Sequence, residues 1–423
     1  MLKMKRPKIH IINGAVVALY TMKEVESVSV SLDFYAGCWH EGADWGAHHL
    51  LEHVVFDGSE KFPTDEENEM FKEENGLRVG GSTGGDKVGY FLTAPKTKIV
   101  EGITLLFDQV FRPILREADI EREKTIIAQE YKDRWSSPNA RFGRASSDNV
   151  FGKGHTYSRD GMGEIDYVKT VTRDDLLQIQ KNFMTPANCR IVVVGNFDEE
   201  KVLKLIKTEL ESHDAGELRG LTIADFTPKE FVIRHNEDVK KVSIYVEWFI
   251  KKYTIYSTLK ERLTMSIARY LIGGSMRSIL MKELRMKRGW VYGAGASLGF
   301  APTYSYFSAD TSTEVAKFNE VMDLLHKLPV EYGQKGVEKK DYERAINYMK
   351  SSQLIAYDSP RAIGGSIASD LYRSVDNKVY LPDEIVEIIG SISQDEVLKM
   401  INEYFSTKPV VSILASKEME LKI

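Results

Sequence analysis

The sequence predicts an α+β protein built from two homologous domains in tandem, and three observations predict it. The chain has 423 residues, more than one ordinary core accommodates and comfortable for two domains of about 200 residues each. Residues 25–34 (VESVSVSLDF) and 239–248 (VKKVSIYVEW) both alternate apolar and polar side chains, as half-buried strands do. In that pair Val25, Val28 and Ser29 are matched by Val239, Val242 and Ser243. The same order of elements then follows in each half. A helical stretch comes next, at 45–56 and at 260–271. Helical 174–183 leads to an apolar strand at 190–195, and helical 394–405 leads to one at 409–415. One matched strand would carry little weight, but an ordered series indicates a duplicated unit. Residues 213–229, with Gly216, Gly220 and Pro228, read as the connection. The expected division is therefore 1–213, a linker at 214–230, and 231–423.

Hydrophobic residues make up 43% and charged residues 28%, the mix of a soluble globular protein. A net charge of −5 without a basic block offers nothing to nucleic acid or an anionic membrane, so neither is expected as a partner. Residues 1–20 start with Lys3, Lys5, Arg6 and Lys8. Asn13 and Gly14 interrupt the apolar part, unlike a signal peptide. No run approaches the roughly 20 apolar residues of a membrane span. Two cysteines, Cys38 and Cys189, exclude a disulfide framework and a cysteine-rich metal site. These features predict a cytoplasmic location.

The chemistry is concentrated in His49-Leu50-Leu51-Glu52-His53. Positions i and i+4 share a helix face, so His49 and His53 offer two imidazoles to one metal ion. Leu50, Leu51, Val54 and Val55 supply the stripe that buries the helix. Glu52, one residue from His53, flanks the metal side and reaches a water without being a ligand. This order is the inverted form of the zinc-peptidase helix motif. The bland alternative is a charged helix face with two solvated histidines. A catalytic zinc needs a third protein ligand. A second helix, with Asp119 as N-cap and Ile120, Ile126, Ile127 and Tyr131 as its apolar side, carries Glu123 and Glu130 on one face. Seven residues span about 10 Å of helix axis, too far for both carboxylates to bind one ion. One is the ligand and the other supports it.

Residues 46–59 (GAHHLLEHVVFDGS) resemble the signature of the pitrilysin and mitochondrial-processing-peptidase family of zinc peptidases. That family places its third ligand after seventy-six intervening residues, and 54–129 is such a stretch, ending at Glu130. Glu123 matches a second acidic position that, by analogy, orients the site. His155 to Arg159 with Gly163 resembles the family's stretch after the ligand helix, and 186–197 (PANCRIVVVGNF) its first-domain closing strand. Residues 272–292 (IGGSMRSILMKELRMKRGWVY) resemble its glycine turn and Arg-to-Tyr motif, with Arg285 and Tyr292 at the matching spacing. The resemblance implies that these two side chains contact substrate. It also implies that each domain is a mainly antiparallel sheet packed with helices, the pair forming half of a clamshell chamber.

One departure stands out. On the edge strand beside the active site the family commonly has Asn-Ala, then two threonines and a tyrosine. Here residues 80–90 read GGSTGGDKVGY, so Thr83 and Tyr90 are kept, but Gly80 and Gly81 replace Asn-Ala and Val88 the later threonine. Gly80, Gly81, Ser82 and Thr83 are the expected substrate-binding edge, more flexible than the family's. The lysine-ended run at 80–87 lacks the ending of a phosphate loop, and Gly293, Gly295 and Gly299 lack the spacing of a dinucleotide fingerprint.

The expected activity is a zinc (Zn2+) endopeptidase that hydrolyses unfolded peptides, with His49, His53 and Glu130 on the metal and Glu52 as general base. Since the family chamber needs four units and this chain has two, a homodimer is expected, with a heterodimer of related chains as the other possibility. The competing expectation is a non-catalytic scaffold or peptide-binding subunit of the same fold.

Overall fold

The chain is described as a computed structural model over residues 5–228, 232–374 and 376–421. Residues 229 and 230 of the expected linker, and Lys3 of the basic start, lie outside the described residues. The first sheet contains β1 (Lys8–Ile12), β2 (Ala15–Thr21), β3 (Ser27–Phe34), β4 (Arg78–Thr83), β5 (Val88–Pro95) and β6 (Cys189–Gly195), in the order β1-β2-β6-β3-β5-β4. The second contains β7 (Val232–Asn236), β8 (Val242–Ile250), β9 (Val291–Phe300), β10 (Ser305–Thr313) and β11 (Val410–Ala415), in the order β7-β11-β8-β10-β9.

With β1 set aside, the two sheets have one design. β2 runs parallel to β6 and β7 parallel to β11, and all other neighbours are antiparallel. The repeat in the sequence is therefore a repeat of strand order and direction. Val28 in β3 and Val242 in β8, matched in the sequence, are both fully buried.

The chain forms two compact units that interleave in sequence. The first comprises residues up to 134 with 154–224 and 356–381; the second comprises 135–153, 225–355 and 382 onward. Residues 214–228 contain no helix or strand. Helix Pro360–Arg373, from late in the chain, covers the first sheet. It packs Ile363, Ile367, Ala368 and Leu371 onto Val16, Ala18, Val192 and Val194. Helix Pro138–Phe151, from early in the chain, sets Val150 against Ile233 and Val410 of the second. The cause is legible in β6, whose seven residues are all buried. A strand apolar on both sides needs cover on both.

The opposite face of the first sheet carries its main core, where Val28, Val30, Leu32 and Phe34 meet Leu50, Leu51, Ile103, Leu106 and Ile127. The helix expected to begin at Asp119 spans Glu117–Ser136. Asp119 is not its cap but lies in the first turn, bound by Arg116 and Arg122. Ile120 and Ile127 are buried as expected, whereas Ile126 is exposed, because a 3.6-residue period turns it off the face its neighbour occupies. Among the described residues no helix is long and apolar enough to cross a membrane.

Candidate metal centre

The motif lies on helix Ala47–Val54, a short element whose start is built from outside. Its N-cap is Gly46, which has no side chain to satisfy the first N–H groups and a backbone φ of 127°. Glu41 does that work: its Oε2 accepts from the N–H groups of Gly46 at 2.8 Å and Ala47 at 2.9 Å. Burial pushes the Glu41 carboxyl up to about 7, against the lowering effect of those same N–H donors. Gly163 presses on Gly46 so closely that a Cβ on it would sit 2.4 Å from the Gly46 Cα. Leu50, Leu51, Val54 and Val55 then fix the helix on the sheet, each at most 1% exposed.

This anchoring brings the ligating atoms of His49, Glu52 and His53 within 4.8 Å of one another. The two imidazole rings stand nearly perpendicular, with centroids 4.7 Å apart. From helix Glu117–Ser136, Glu130 Oε2 approaches His49 Nε2 at 4.0 Å and His53 Nε2 at 3.8 Å. One turn pair earlier, Glu123 Oε2 lies 3.0 Å from His53 Nδ1. The two glutamates thus address opposite nitrogens of one ring. Glu123 holds Nδ1 as the donor and leaves Nε2 turned toward His49 and Glu130, the tautomer a metal ligand requires. Arg122 steadies this support, with its guanidinium 2.7 Å from Asp57 and 3.6 Å from Glu123.

The three donors fit a zinc ion. Bonds of about 2.0–2.2 Å in a tetrahedral site set ligand atoms roughly 3.3 Å apart. The observed separations of 3.8 and 4.0 Å are only slightly longer, and Glu130, 44% exposed, is the least enclosed of the three side chains. Burial, with the nearby His53, lowers the His49 imidazole to about 4, so that it is neutral and ready to ligate at neutral pH. Burial lowers His53 too, but the Glu123 hydrogen bond and the charges of Glu52 and Glu130 outweigh it, and its pKa is raised. Burial raises the Glu52 carboxyl, opposed by His53 and by the Thr83 hydroxyl, which donates to Glu52 Oε2 at 3.4 Å.

β4 forms the edge of the first sheet, and the alternation of a strand divides the four expected edge residues. Gly81 and Thr83 face Glu52; Gly80 and Ser82 face the other side. A Cβ at Gly81 would lie 2.3 Å from Glu52 Oε1, so the Glu52 carboxylate occupies the space a side chain would need. A Cβ at Gly80 would instead meet the Phe91 ring at 2.6 Å. Arg285 and Tyr292 belong to the second unit, where the guanidinium stacks 4.9 Å above the tyrosine ring and Tyr292 is 84% exposed. Sequence reading missed Glu41 and Arg122. A helix opening on Gly46 without Ser, Thr, Asp or Asn before it signals that an acceptor comes from elsewhere.

Residues 16–157 match the model of the insulinase family, peptidase family M16, and 170–349 match that of the peptidase M16 inactive domain. All five of His49, Glu52, His53, Glu123 and Glu130 fall in the first match. A Rickettsia bellii protein named as an uncharacterized zinc protease is 23% identical over 96% of this chain and 97% of its own length. A Schizosaccharomyces pombe protein named as a probable mitochondrial-processing peptidase subunit beta is 24% identical, over 96% of this chain and 90% of that one. Among solved structures, the peptidase M16 inactive domain from Pseudomonas fluorescens superposes with a TM-score of 0.86 at 16% identity, covering 99% of this chain and all of that one. Motif, fold and both halves agree: the chain belongs to the M16 family, the pitrilysin-like group of peptidases that its zinc motif resembles.

Proposed function

We propose that this protein is a zinc endopeptidase that cleaves unfolded peptides, with His49, His53 and Glu130 holding the metal. One observation supports the reading: Glu52 lies in the same cluster as the two imidazoles, while Glu130 approaches both rings at 4.0 and 3.8 Å and would complete the ligand set without it. A carboxylate that is beside a metal and not required to bind it is available for proton transfer. When bound, zinc polarises the peptide carbonyl and lowers the pKa of water to about 7. Glu52 takes a proton from the attacking water and returns it to the leaving amine. Its burial keeps its pKa above the ordinary carboxylate range, closer to that of an effective base at neutral pH. Glu123 keeps the His53 ring oriented throughout.

A peptide joining the free edge of β4 would lie across Glu52 through backbone hydrogen bonds, which select for extended conformation more than for sequence. Arg285 and Tyr292, already stacked on each other, are the proposed substrate contacts of the second unit. Since zinc residues and the Arg-Tyr pair occur on one chain, a homodimer completing the chamber is the proposed assembly. The scaffold reading has support in the inactive-domain description matched by 170–349, a segment that excludes the motif. Zinc analysis with a quenched fluorescent peptide, with and without chelator, separates the two. Glu52→Gln is expected to retain zinc and lose cleavage by about 10²–10⁴-fold; normal cleavage by the zinc-loaded variant would refute the role of Glu52.

A further inference from the structure

The face of the β4 edge turned away from Glu52 has a chemistry of its own. Gly80 pairs with Phe91 across β4 and β5, and the Phe91 ring leans over the glycine into the space a side chain would fill. Above that ring, 5.0 Å from its centroid, lies the guanidinium of Arg361, brought there by helix Pro360–Arg373. Arg361 is exposed, and among the described residues no ion pair or hydrogen bond engages it. Arg78 is also exposed and unengaged. It stands two residues before Gly80 in the same strand, so it projects from the same face. Of the other charges on this face, Asp33 is paired with Lys87 at 3.1 Å, and Arg190, opposite Asp33 on β6, is buried, donates to the Cys189 carbonyl and stacks on Tyr35.

An extended peptide on the free edge of β4 alternates its side chains between the two faces. Those opposite Gly81 and Thr83 face Glu52. The one opposite Gly80 faces the other way and meets no side chain at Gly80 itself, only the tip of Phe91 with the guanidinium groups of Arg361 and, two residues along β4, Arg78 beyond. Guanidinium forks bind carboxylates with matched geometry, and stacking on Phe91 restricts Arg361 in advance. From this we infer that Arg361 and Arg78 make the protein prefer extended peptides with an acidic side chain at the position opposite Gly80, next to the residue that faces Glu52. The inference rests on the peptidase reading for its turnover but not for its binding.

Two arms keep these apart. In the first, peptides differing only in Glu, Gln or Lys at each position around the cleaved bond are compared with the zinc-loaded enzyme. At one position Glu is expected to be favoured over Gln by about fivefold in kcat/KM, the size of an exposed ion pair. That preference is expected to vanish in Arg361→Ala with Arg78→Ala, to reverse toward Lys in Arg361→Glu, and to shrink in 0.5 M salt. Cleavage of the Gln peptide should change much less than that of the Glu peptide, because an uncharged side chain forms no ion pair with either arginine. In the second arm, fluorescence anisotropy measures binding of the same peptides to Glu52→Gln protein with and without Arg361→Ala. Absence of cleavage by the wild-type protein would count against the peptidase reading alone, since the binding arm still reports on Arg361. Equal binding of Glu, Gln and Lys peptides, or a Glu preference that survives both arginine substitutions, would overturn the inference.

Discussion

The two sheets share strand order and direction, yet the helix that follows the third-strand position differs completely between them. In the first unit this helix, Ala47–Val54, is short, opens on glycine, and depends on Glu41 for its cap. In the second, Leu259–Gly273 is nearly twice as long and carries its own capping box, Thr258 with Glu261. One presents two histidines and a glutamate within 4.8 Å of one another; the other presents an apolar face built on Leu263, Ile267 and Leu271 to its core. The edge strands diverge in the same way. β4 brings the bare backbone of Gly81 against Glu52, while β9 offers Tyr292 to solvent with Arg285 stacked on it. One fold was kept twice, and the chemistry was placed in it by a handful of side chains.

The comparison is broken most severely at Gly81. In Gly81→Ala the new Cβ would collide with the Glu52 carboxylate and displace the base by about an ångström. A shift of that size costs on the order of 10²-fold in kcat, with zinc content unchanged. Loss of zinc, or unchanged turnover, would show that the close approach does not set the position of the base. Next in size is Glu123→Ala, which removes the partner of His53 Nδ1. Zinc affinity is expected to fall about 10–100-fold in competition with a chromophoric chelator, whereas no residue of Leu259–Gly273 should affect it. Smallest are the two caps. Glu41→Ala and Thr258→Ala should each cost about 1 kcal/mol of stability, read as a lowered thermal midpoint. Only Glu41→Ala should also weaken zinc binding. Equal zinc affinity in both cap variants would mean that the start of Ala47–Val54 does not position the ligands.

Much of this site was legible because it is local. His49, Glu52 and His53 share a helix face by period alone, and Glu123 with Glu130 share another. Helix geometry left open which glutamate would bind a metal and which would support it; the family spacing points to Glu130, and the fold sets the two beside opposite nitrogens of His53. Glu41 escaped notice because its role depends on a loop folding back over five residues to reach N–H groups that have no local acceptor. The crossing of Pro138–Phe151 and Pro360–Arg373 into opposite units was hidden for a similar reason. Their apolar stripes fit any sheet face, and the usual rule that consecutive elements are neighbours points each to its own half. Arg361 lies 270 residues from Phe91 in the chain, and only the folded first unit brings them together.

Zinc stoichiometry tests the central claim most directly, measured by elemental analysis on the wild-type protein and on His53→Ala and Glu130→Ala after equilibration with limiting zinc. One zinc per wild-type chain and almost none in either variant is the expected result. A full equivalent of zinc in both variants, or none in the wild-type protein at neutral pH, would contradict it.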